Sequence, residues 1–387
     1  MHGHPGGGAT HPGSMPKHMA GHPGGPEVPR LIFWELTQGC NLTCKHCRAE
    51  ATFDRAPDEL STEQCKQVID DITAHYKPVL IMTGGEPLYR PDLFELASYA
   101  NEKGARVCLA SNGTMIDDAV AQRIKEVGIR RVAISMDGAT PEVHDTFRGI
   151  PGAMEKALAG ADAVMRAGIE VQFNITVAQH NKEQIPAIVR LAEERGAAAV
   201  HLFILVPVGC GVQIADREML APDEVEAVLE WLYGVSERTS IEVRATCAPQ
   251  YHRIMRQQGG AGAIAKARAS AQASLGEGHG HSRPGNRAAG AKGCLANSGV
   301  CFISHTGNVQ PCGYLPTLAG NVTREPFKQI WEDSKLFKEL RDPNLLGGKC
   351  GECEYKVSCG GCRARAYYTH HHYLAEEPYC SYEPGVR

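Results

Sequence analysis

The sequence contains no long hydrophobic run and carries little net charge. No stretch approaches the roughly 20 consecutive apolar residues of a membrane-spanning helix, and no apolar run follows the N-terminal charges. We therefore expect neither a membrane span nor a secretory signal. A formal net charge of −4 over 387 residues gives no reason to expect nucleic acid as the main partner. With 43% hydrophobic and 22% charged residues, the chain has the balance of a soluble globular protein.

Cysteine, by contrast, is abundant. The chain has 15 cysteines, and without a secretion signal a disulfide scaffold is not expected. In a reducing compartment, cysteines at ordered spacings serve as ligands of metal ions or iron–sulfur clusters. We therefore predict a cytoplasmic protein that binds metal ions or clusters through its thiolates.

Composition divides the chain into four segments. Residues 1–29 are almost entirely Gly, Pro, His, Met and Ala, which bury too little apolar surface to fold, so we predict a disordered tail. Residues 30–240 alternate short apolar runs with amphipathic stretches. Residues 241–293 become rich in Gly, Ala and His, as expected of a linker with a mobile segment. The last segment, 294–387, holds eight cysteines and is predicted to be a small separate domain.

The alternating segment predicts a parallel sheet with right-handed helical crossovers. The predicted strands are Leu31–Leu36, Val79–Met82, Val107–Ala110, Arg131–Ser135, Val171–Val177 and Val200–Val206. The predicted helices lie at 62–75, 92–103, 116–127, 152–167 and 183–195, with others at 222–237 and 326–341. Six such units are too few for an eight-unit barrel, so we predict an α/β fold containing a partial (β/α)6 barrel. Its chemistry is expected at the carboxyl ends of the strands.

The loop after the first predicted strand holds the most specific pattern. Cys40, Cys44 and Cys47 have the spacing C-x3-C-x2-C. Three thiolates on one loop can hold three irons of a 4Fe–4S cube and leave the fourth iron open to another ligand. A zinc site would need a fourth nearby ligand, and His46 is poorly placed for that beside Cys47. The pattern therefore predicts an iron–sulfur cluster.

This triad, with six βα units behind it, resembles the radical S-adenosylmethionine (SAM) superfamily. Members carry a Gly-Gly-Glu stretch after the second strand, here at 84–86, and an aromatic residue at the position of His46. The resemblance implies that SAM chelates the open iron and that its reductive cleavage yields a 5′-deoxyadenosyl radical. The residues it assigns to SAM are His46, Gly84, Gly85, Glu86, Ser111, Asn112, Ser135, Asp137, Arg148 and Asn174. Turns, helix caps and a surface ion pair explain Ser111, Asn112 and Arg148 equally well.

The C-terminal cysteines follow a second ordered pattern. Eight cysteines suffice for two 4Fe–4S clusters or for two zinc sites, and spacing alone does not separate these possibilities. The order resembles the auxiliary-cluster (SPASM) domain of many radical SAM enzymes, which implies three 4Fe–4S clusters in all. By that resemblance an inner cluster is held by Cys294, Cys301, Cys312 and Cys362. An outer cluster is held by Cys350, Cys353, Cys359 and Cys380.

One spacing in the cysteine pattern departs from the family, and four cysteines lie outside the pattern. Two residues separate Cys359 from Cys362, where three are usual. Four further cysteines show no ligand spacing: Cys65, Cys108, Cys210 and Cys247. We interpret Cys65 and Cys108 as core residues, because free cysteine behaves as a small buried hydrophobe.

Several segments are similar to the branch of the superfamily that acts on tetrapyrroles. They are 47–51, 299–304, 311–316, 319–322, 360–366 and 373–378. The His- and Gly-rich tail leading into the first strand is most similar to the haem synthases of the siroheme-dependent pathway. That resemblance implies oxidative decarboxylation of two propionates of iron-coproporphyrin III to vinyl groups. The products are haem b, CO2, methionine and 5′-deoxyadenosine, and the electron donor is a low-potential protein such as flavodoxin or ferredoxin.

Substrate contacts and competing functions follow from the same comparison. Propionates need cationic partners, for which Arg148, Arg363 and Arg365 are candidates, and Tyr314 is a candidate apolar wall. Structural pairing around the cluster loop is the other interpretation of Arg363 and Arg365. One alternative function is a 12,18-didecarboxysiroheme deacetylase or a haem d1-type enzyme. The others are a peptide-modifying maturase and a zinc-ribbon binding protein without catalysis.

Overall fold

One open sheet of ten strands organises the protein, whose computed structural model describes residues 28–259, 292–296 and 298–385. The strands are β1 (Leu31–Glu35), β2 (Val79–Thr83), β3 (Arg106–Ser111), β4 (Arg131–Ser135), β5 (Glu170–Val177), β6 (Ala199–Ile204), β7 (Glu242–Thr246), β8 (Val300–Ile303), β9 (Asn308–Gln310) and β10 (Gly320–Asn321). Their order is β10-β9-β8-β1-β2-β3-β4-β5-β6-β7. Neighbours from β8 through β1 to β7 pair in parallel, whereas β8, β9 and β10 pair antiparallel.

Helices connect successive strands and cover the sheet. They are α1 (Thr62–His75), α2 (Leu93–Glu102), α3 (Asp118–Glu126), α4 (Pro141–Arg148), α5 (Ala153–Arg166), α6 (Ile185–Glu194), α7 (Ala215–Glu218), α8 (Pro222–Ser236), α9 (250–259), α10 (Phe327–Asp333), α11 (Lys335–Arg341), α12 (Gly348–Glu352) and α13 (Arg363–His370). The start of α1 shows how the sequence sets a boundary. The Ser61 hydroxyl accepts the N–H of Gln64, whose side chain accepts the N–H of Ser61, a reciprocal cap.

The predicted α/β partial barrel is confirmed. All six predicted strands are present, and the sheet gains β7 beside β6 and β8 beside β1. The predicted helix at 326–341 is instead two helices, because Ser334 has φ −53° and ψ 127°, which interrupts the helical path between α10 and α11.

The C-terminal residues share the sheet and the core of the barrel. β8 pairs with β1 so that Cys301 lies opposite Ile32. Phe327 donates its backbone N–H to Asp71 on α1 at 2.6 Å, and Trp331 is fully buried in the same apolar core. The segment predicted as a separate domain is therefore joined to the barrel by hydrogen bonds and by apolar packing.

Two predictions fall largely outside the described residues. These are the tail at 1–29, of which residues 28 and 29 are described, and most of the linker at 241–293, of which 260–291 are not described. Within the described part of the chain, no helix has the length and apolar character needed to cross a bilayer.

Candidate active site

The three-cysteine loop follows β1 at the carboxyl edge of the sheet. Backbone N–H groups of Leu42 and Ala51 contact the sulfurs of Cys40 and Cys47, both at 3.4 Å. Burial raises the pKa of Cys40 to about 12, and the nearby Glu86 carboxylate and the other two thiols add to that rise. The predicted ligands are therefore gathered within electrostatic range of one another, with donors already directed at their sulfurs, as cluster ligands require.

Gly84 and Gly85 allow the end of β2 to lie directly against this loop. A Cβ at Gly84 would lie 2.6 Å from the carbonyl oxygen of Thr37, and one at Gly85 would lie 2.5 Å from that of Gly39. Both distances are far inside van der Waals contact. Glycine is therefore required at both positions by the close approach of two backbone segments, whether or not a ligand is bound.

Glu86, Ser111 and Asn112 form a buried polar network beside the loop. The Glu86 carboxylate accepts the Ser111 hydroxyl at 2.9 Å and the Asn112 N–H at 2.8 Å. The Asn112 amide donates to the side chain of Asn41 at 2.8 Å, which links the network to the three-cysteine loop. Burial raises the pKa of Glu86 to about 7, although these hydrogen bonds oppose the rise. The structure brings these three predicted SAM residues together.

Asp137, Arg148 and His46 form a second buried group on the other side of the loop. Asp137 Oδ2 lies 2.6 Å from Arg148 Nη2 and 3.4 Å from His46 Nε2, and Asp137 Oδ1 accepts the N–H of Thr176 at 2.7 Å. Arg148 Nη1 contacts the sulfur of Cys44 at 3.8 Å. Burial opposes ionisation of Asp137, but Arg148 and the neighbouring histidines hold its pKa below the usual value. Arg148 is therefore not a surface residue, and its guanidinium connects a predicted cluster ligand to a buried carboxylate.

The residues present fit a bound SAM. His46 Nδ1 and Arg148 Nε are buried and have no hydrogen-bond partner among the described residues, which is uncommon for interior polar atoms. The His46 ring stacks on Phe147 with centroids 4.3 Å apart, so a flat apolar surface adjoins these donors. Ser135, the last residue of β4, is paired in register with Asn174 on β5. The predicted SAM residues thus lie around one edge of the barrel.

The inner set of C-terminal cysteines differs from the prediction at one position. Cys247, directly after β7, lies within electrostatic range of Cys294, Cys312 and Cys362, and these three are also neighbours of one another. Burial first, and then the neighbouring thiols, raise the pKa of Cys247 well above its usual value. Sequence spacing missed Cys247. Its position directly after β7 could have pointed to it, but no strand was predicted there.

Cys301, which the sequence assigned to the inner set, lies elsewhere. It is on β8, fully buried in the apolar core, and Arg341 is the charged group near it. Among the described residues the structure brings no other thiol to it. The apolar strand sequence Val-Cys-Phe-Ile explains this, because every residue of β8 is buried.

The four cysteines predicted as the outer set lie around one cavity. Cys350, Cys353, Cys359 and Cys380 all line it, together with Gly360 and Gly361. The Cys350 sulfur contacts the N–H of Glu377 at 3.3 Å and Arg363 Nη2 at 3.8 Å. Within the described ranges, no three His, Cys, Asp or Glu side chains converge closely enough to hold one metal ion. Four thiolates around one cavity could hold a four-iron cluster, which takes one ligand at each corner.

Two of the arginines predicted to bind substrate make hydrogen bonds within the protein instead. Arg365 is fully buried and pairs with Glu377 through two contacts of 3.0 and 3.2 Å. Arg363 donates to the carbonyls of Tyr373 and Ala375. Their prediction as propionate contacts is therefore wrong, because neither guanidinium faces open space.

Tyr314, the candidate apolar wall, lies close to the inner set of cysteines. It packs in an apolar cluster with Cys247, Cys312 and Val206. Burial raises the pKa of the Tyr314 hydroxyl, and its charged surroundings include Arg48 and Asp137 from the barrel side.

Comparison with known families agrees with this arrangement. Residues 34–192 match the radical SAM superfamily, and residues 294–362 match an iron–sulfur cluster-binding domain of the SPASM type. An "AdoMet-dependent heme synthase" of Methanosarcina barkeri is 46% identical over 93% of this chain and 98% of its own length. An "Fe-coproporphyrin III synthase" of the same organism is 31% identical over 90% of this chain and 87% of its own length.

Solved structures share the fold. Streptococcus suis SuiB bound to S-adenosylmethionine superposes with a TM-score of 0.66 at 14% identity, covering 92% of this chain and 76% of that chain. This similarity concerns the fold alone. The three-cysteine loop, the C-terminal cysteine sets and the sequence identity together show that this chain is a radical SAM enzyme with a SPASM-type domain and belongs to the family of AdoMet-dependent haem synthases.

Proposed function

We propose that this enzyme converts iron-coproporphyrin III into haem b by oxidative decarboxylation of two propionates. The observation that supports it most is the full-length identity to a curated haem synthase, which clearly exceeds the identity to the relative named for making iron-coproporphyrin III. Each propionate loses a hydrogen atom from its β-carbon, CO2 and one electron, and a vinyl group remains. Methionine and 5′-deoxyadenosine are the co-products.

The barrel residues bind and orient the cofactor. We propose that Cys40, Cys44 and Cys47 hold one 4Fe–4S cluster and that the predicted SAM residues surround SAM at the carboxyl edge of the sheet. When bound and reduced, the cluster and SAM supply the radical that removes hydrogen. Arg148 holds Asp137 beside the Cys44 sulfur, and the His46 ring, 11% exposed and stacked on Phe147, shields one side from water. Side chains held in this way would orient SAM, and the orientation of SAM decides which hydrogen is removed.

The C-terminal cysteines provide an exit for the electron that each decarboxylation leaves behind. We propose an inner 4Fe–4S cluster on Cys247, Cys294, Cys312 and Cys362, and an outer one on Cys350, Cys353, Cys359 and Cys380. The two sets are adjacent, since the N–H of Cys294 donates to the carbonyl of Cys359 at 3.1 Å. An electron leaving the substrate near Tyr314 then meets the inner set first.

The proposed surroundings of the enzyme follow from this chemistry. Thiolate ligands persist in a reducing compartment, which supports a cytoplasmic location. Reduction of the SAM-binding cluster requires a low-potential donor, for which a flavodoxin or ferredoxin is suited. Three four-iron clusters correspond to about twelve irons per chain, which iron analysis of anaerobically reconstituted protein measures directly.

The test is a reaction under strictly anaerobic conditions. Reconstituted enzyme is incubated with SAM, reductant and iron-coproporphyrin III, and the porphyrins are analysed by mass spectrometry. With the wild type we expect products in which the substrate has lost the elements of formic acid once and then twice, together with 5′-deoxyadenosine. Cys44→Ala should form neither these porphyrins nor 5′-deoxyadenosine. A parallel reaction with didecarboxysiroheme checks the alternative. Loss of acetate from that compound, with iron-coproporphyrin III unchanged, would refute the proposal.

A further inference from the structure

We infer that Arg48 binds a propionate carboxylate of the tetrapyrrole, an inference that rests on the proposed function. A guanidinium recognises a carboxylate through two parallel hydrogen bonds, which fix the orientation of the ligand as well as its charge. The structure has committed Arg148, Arg363 and Arg365 to internal contacts. Arg48 is a fourth arginine, and its environment differs from theirs.

Arg48 spans the gap between the two cysteine regions. It directly follows Cys47, the last cysteine of the three-cysteine loop. Its side chain packs over Gly313, where a Cβ would lie 3.1 Å from Arg48 Cδ and 3.4 Å from Arg48 Nε. Gly313 in turn separates Cys312 of the inner set from Tyr314. A substrate that gives a hydrogen atom to one region and an electron to the other must lie at this junction.

Glu35 and Phe302 hold the guanidinium in place. Arg48 Nη2 lies 2.5 Å from Glu35 Oε2 at the end of β1, and the Arg48 guanidinium stacks 4.5 Å above the centre of the Phe302 ring on β8. Within the described part of the chain, Arg48 Nε and Nη1 make no hydrogen bond, and the side chain is 20% exposed. The group is thus held in place. Because Glu35 takes one of the two N–H groups of Nη2, the other N–H of Nη2 and an N–H of one adjacent nitrogen can still form a fork for a carboxylate.

The charge of Arg48 is not simply cancelled by Glu35. The other oxygen of that carboxylate, Oε1, lies 2.6 Å from Nδ1 of His305, which follows β8. This hydrogen bond raises the pKa of His305 and so favours its cationic form. One carboxylate is then shared between Arg48 and His305, so Glu35 does not pair with Arg48 alone.

Anaerobic Soret titrations test this assignment with two ligands, iron-coproporphyrin III and its tetramethyl ester. We expect Arg48→Met to weaken binding of the free acid by about 10- to 100-fold, the range for hydrogen bonds to a charged group. Binding of the ester should be unchanged. Arg48→Lys, which keeps the charge but loses the fork, should show a smaller loss. Arg55→Met is the matched control, because Arg55 lies in the same loop region but pairs with Glu59.

Iron content and SAM cleavage without porphyrin should stay at wild-type levels in these variants. Equal affinity of wild type and Arg48→Met for the free acid overturns the inference. An equal loss for acid and ester also overturns it, since the role would then be structural. If Arg48→Met fails to incorporate iron, the acid-against-ester comparison on Arg48→Lys decides in the same way. Failure of the wild type to bind the acid refutes the proposed function itself, which separates the two hypotheses.

Discussion

At the scale of single residues, Cys247 and Cys301 have opposite surroundings. Cys247 lies among three other thiols, whereas Cys301 is enclosed by apolar side chains of the sheet core. We expect Cys247→Ala to lower the iron content by about four atoms per chain, the content of one cluster. Cys301→Ala should keep its iron and destabilise the protein by about 1 kcal/mol through a small cavity.

Iron analysis and thermal unfolding of both variants provide the measurement. Cys65→Ala serves as the control, because Cys65 is a fully buried cysteine on α1 remote from the predicted ligand sets. The reverse result, iron lost in Cys301→Ala and retained in Cys247→Ala, contradicts the ligand set proposed here.

Asp137 carries a buried negative charge that pairs with neighbouring side chains of the active site. It is fully buried and contacts both Arg148 and His46. Asp137→Asn leaves the Arg148 charge without its partner, and breaking a buried ion pair in this way costs about 3–5 kcal/mol. We expect lower stability and at least a tenfold loss of reductive SAM cleavage, measured as 5′-deoxyadenosine. Asp118→Asn, in an exposed pair with Arg166, should change stability by about 0–1 kcal/mol and leave SAM cleavage intact.

At the scale of secondary-structure elements, the contact between β2 and the three-cysteine loop depends on Gly85. A methyl group there would meet the carbonyl of Gly39 at 2.5 Å and the Cβ of Cys40 at 2.9 Å. Gly85→Ala should therefore displace the loop and reduce incorporation of the SAM-binding cluster, seen as a loss of its electron paramagnetic resonance signal.

Gly234 on α8 supplies the matched control for this substitution. A Cβ there has ordinary space, with Arg238 Nη2 at 3.7 Å. Gly234→Ala should stabilise the helix by about 0.5–1 kcal/mol and leave the cluster signal unchanged. A full cluster signal in Gly85→Ala would show that the loop tolerates the displacement.

Arg365 and Glu377 connect the elements that carry both C-terminal cysteine sets. Arg365 Nη1 donates to the carbonyl of Cys247 at 2.8 Å, and Glu377 Oε2 accepts the N–H of Cys362 at 2.6 Å. The N–H of Glu377 also contacts the Cys350 sulfur. Arg365→Met should destabilise the protein by about 3–5 kcal/mol, because Glu377 is left as an uncompensated buried charge.

The double variant Arg365→Met/Glu377→Gln separates charge from packing. It removes both charges, so we expect it to recover much of the stability lost in the single variant. Thermal unfolding and the resonance signals of the reduced auxiliary clusters measure the two effects. If the single and double variants are equally unstable, the pair acts through packing rather than through charge.

At the scale of the whole molecule, the barrel and the cysteine-rich region form one folded unit. β8 covers the edge of β1 that an isolated barrel would leave unpaired, and Phe327 and Trp331 fill the core beside α1. A chain ending at residue 293 should therefore expose a hydrophobic strand edge and aggregate. Size-exclusion chromatography of the truncated and full-length chains tests this, and a monomeric, folded truncation would contradict it.

Much of this architecture follows from local patterns in the sequence. Alternation of apolar strands and amphipathic helices determined the parallel sheet, and Ser61 with Gln64 determined where α1 begins. The spacing of Cys40, Cys44 and Cys47 determined the first ligand loop, because all three lie within one short segment. These features depend on neighbours along the chain, whose geometry the backbone limits strongly.

Tertiary structure decided the assignments that depend on distant partners. Cys247 approaches Cys362 across 115 residues because β7 ends at the same edge of the sheet as the other strands, a juxtaposition that no local spacing encodes. Arg365 carries a charge suited to a propionate, but in the folded chain it pairs with the buried carboxylate of Glu377, twelve residues away. Cys301 belonged to an ordered cysteine series, and the pairing of β8 with β1 buried it in the core. Burial and long-range pairing select one environment from the several that a residue type allows, and that selection is made by the folded chain as a whole.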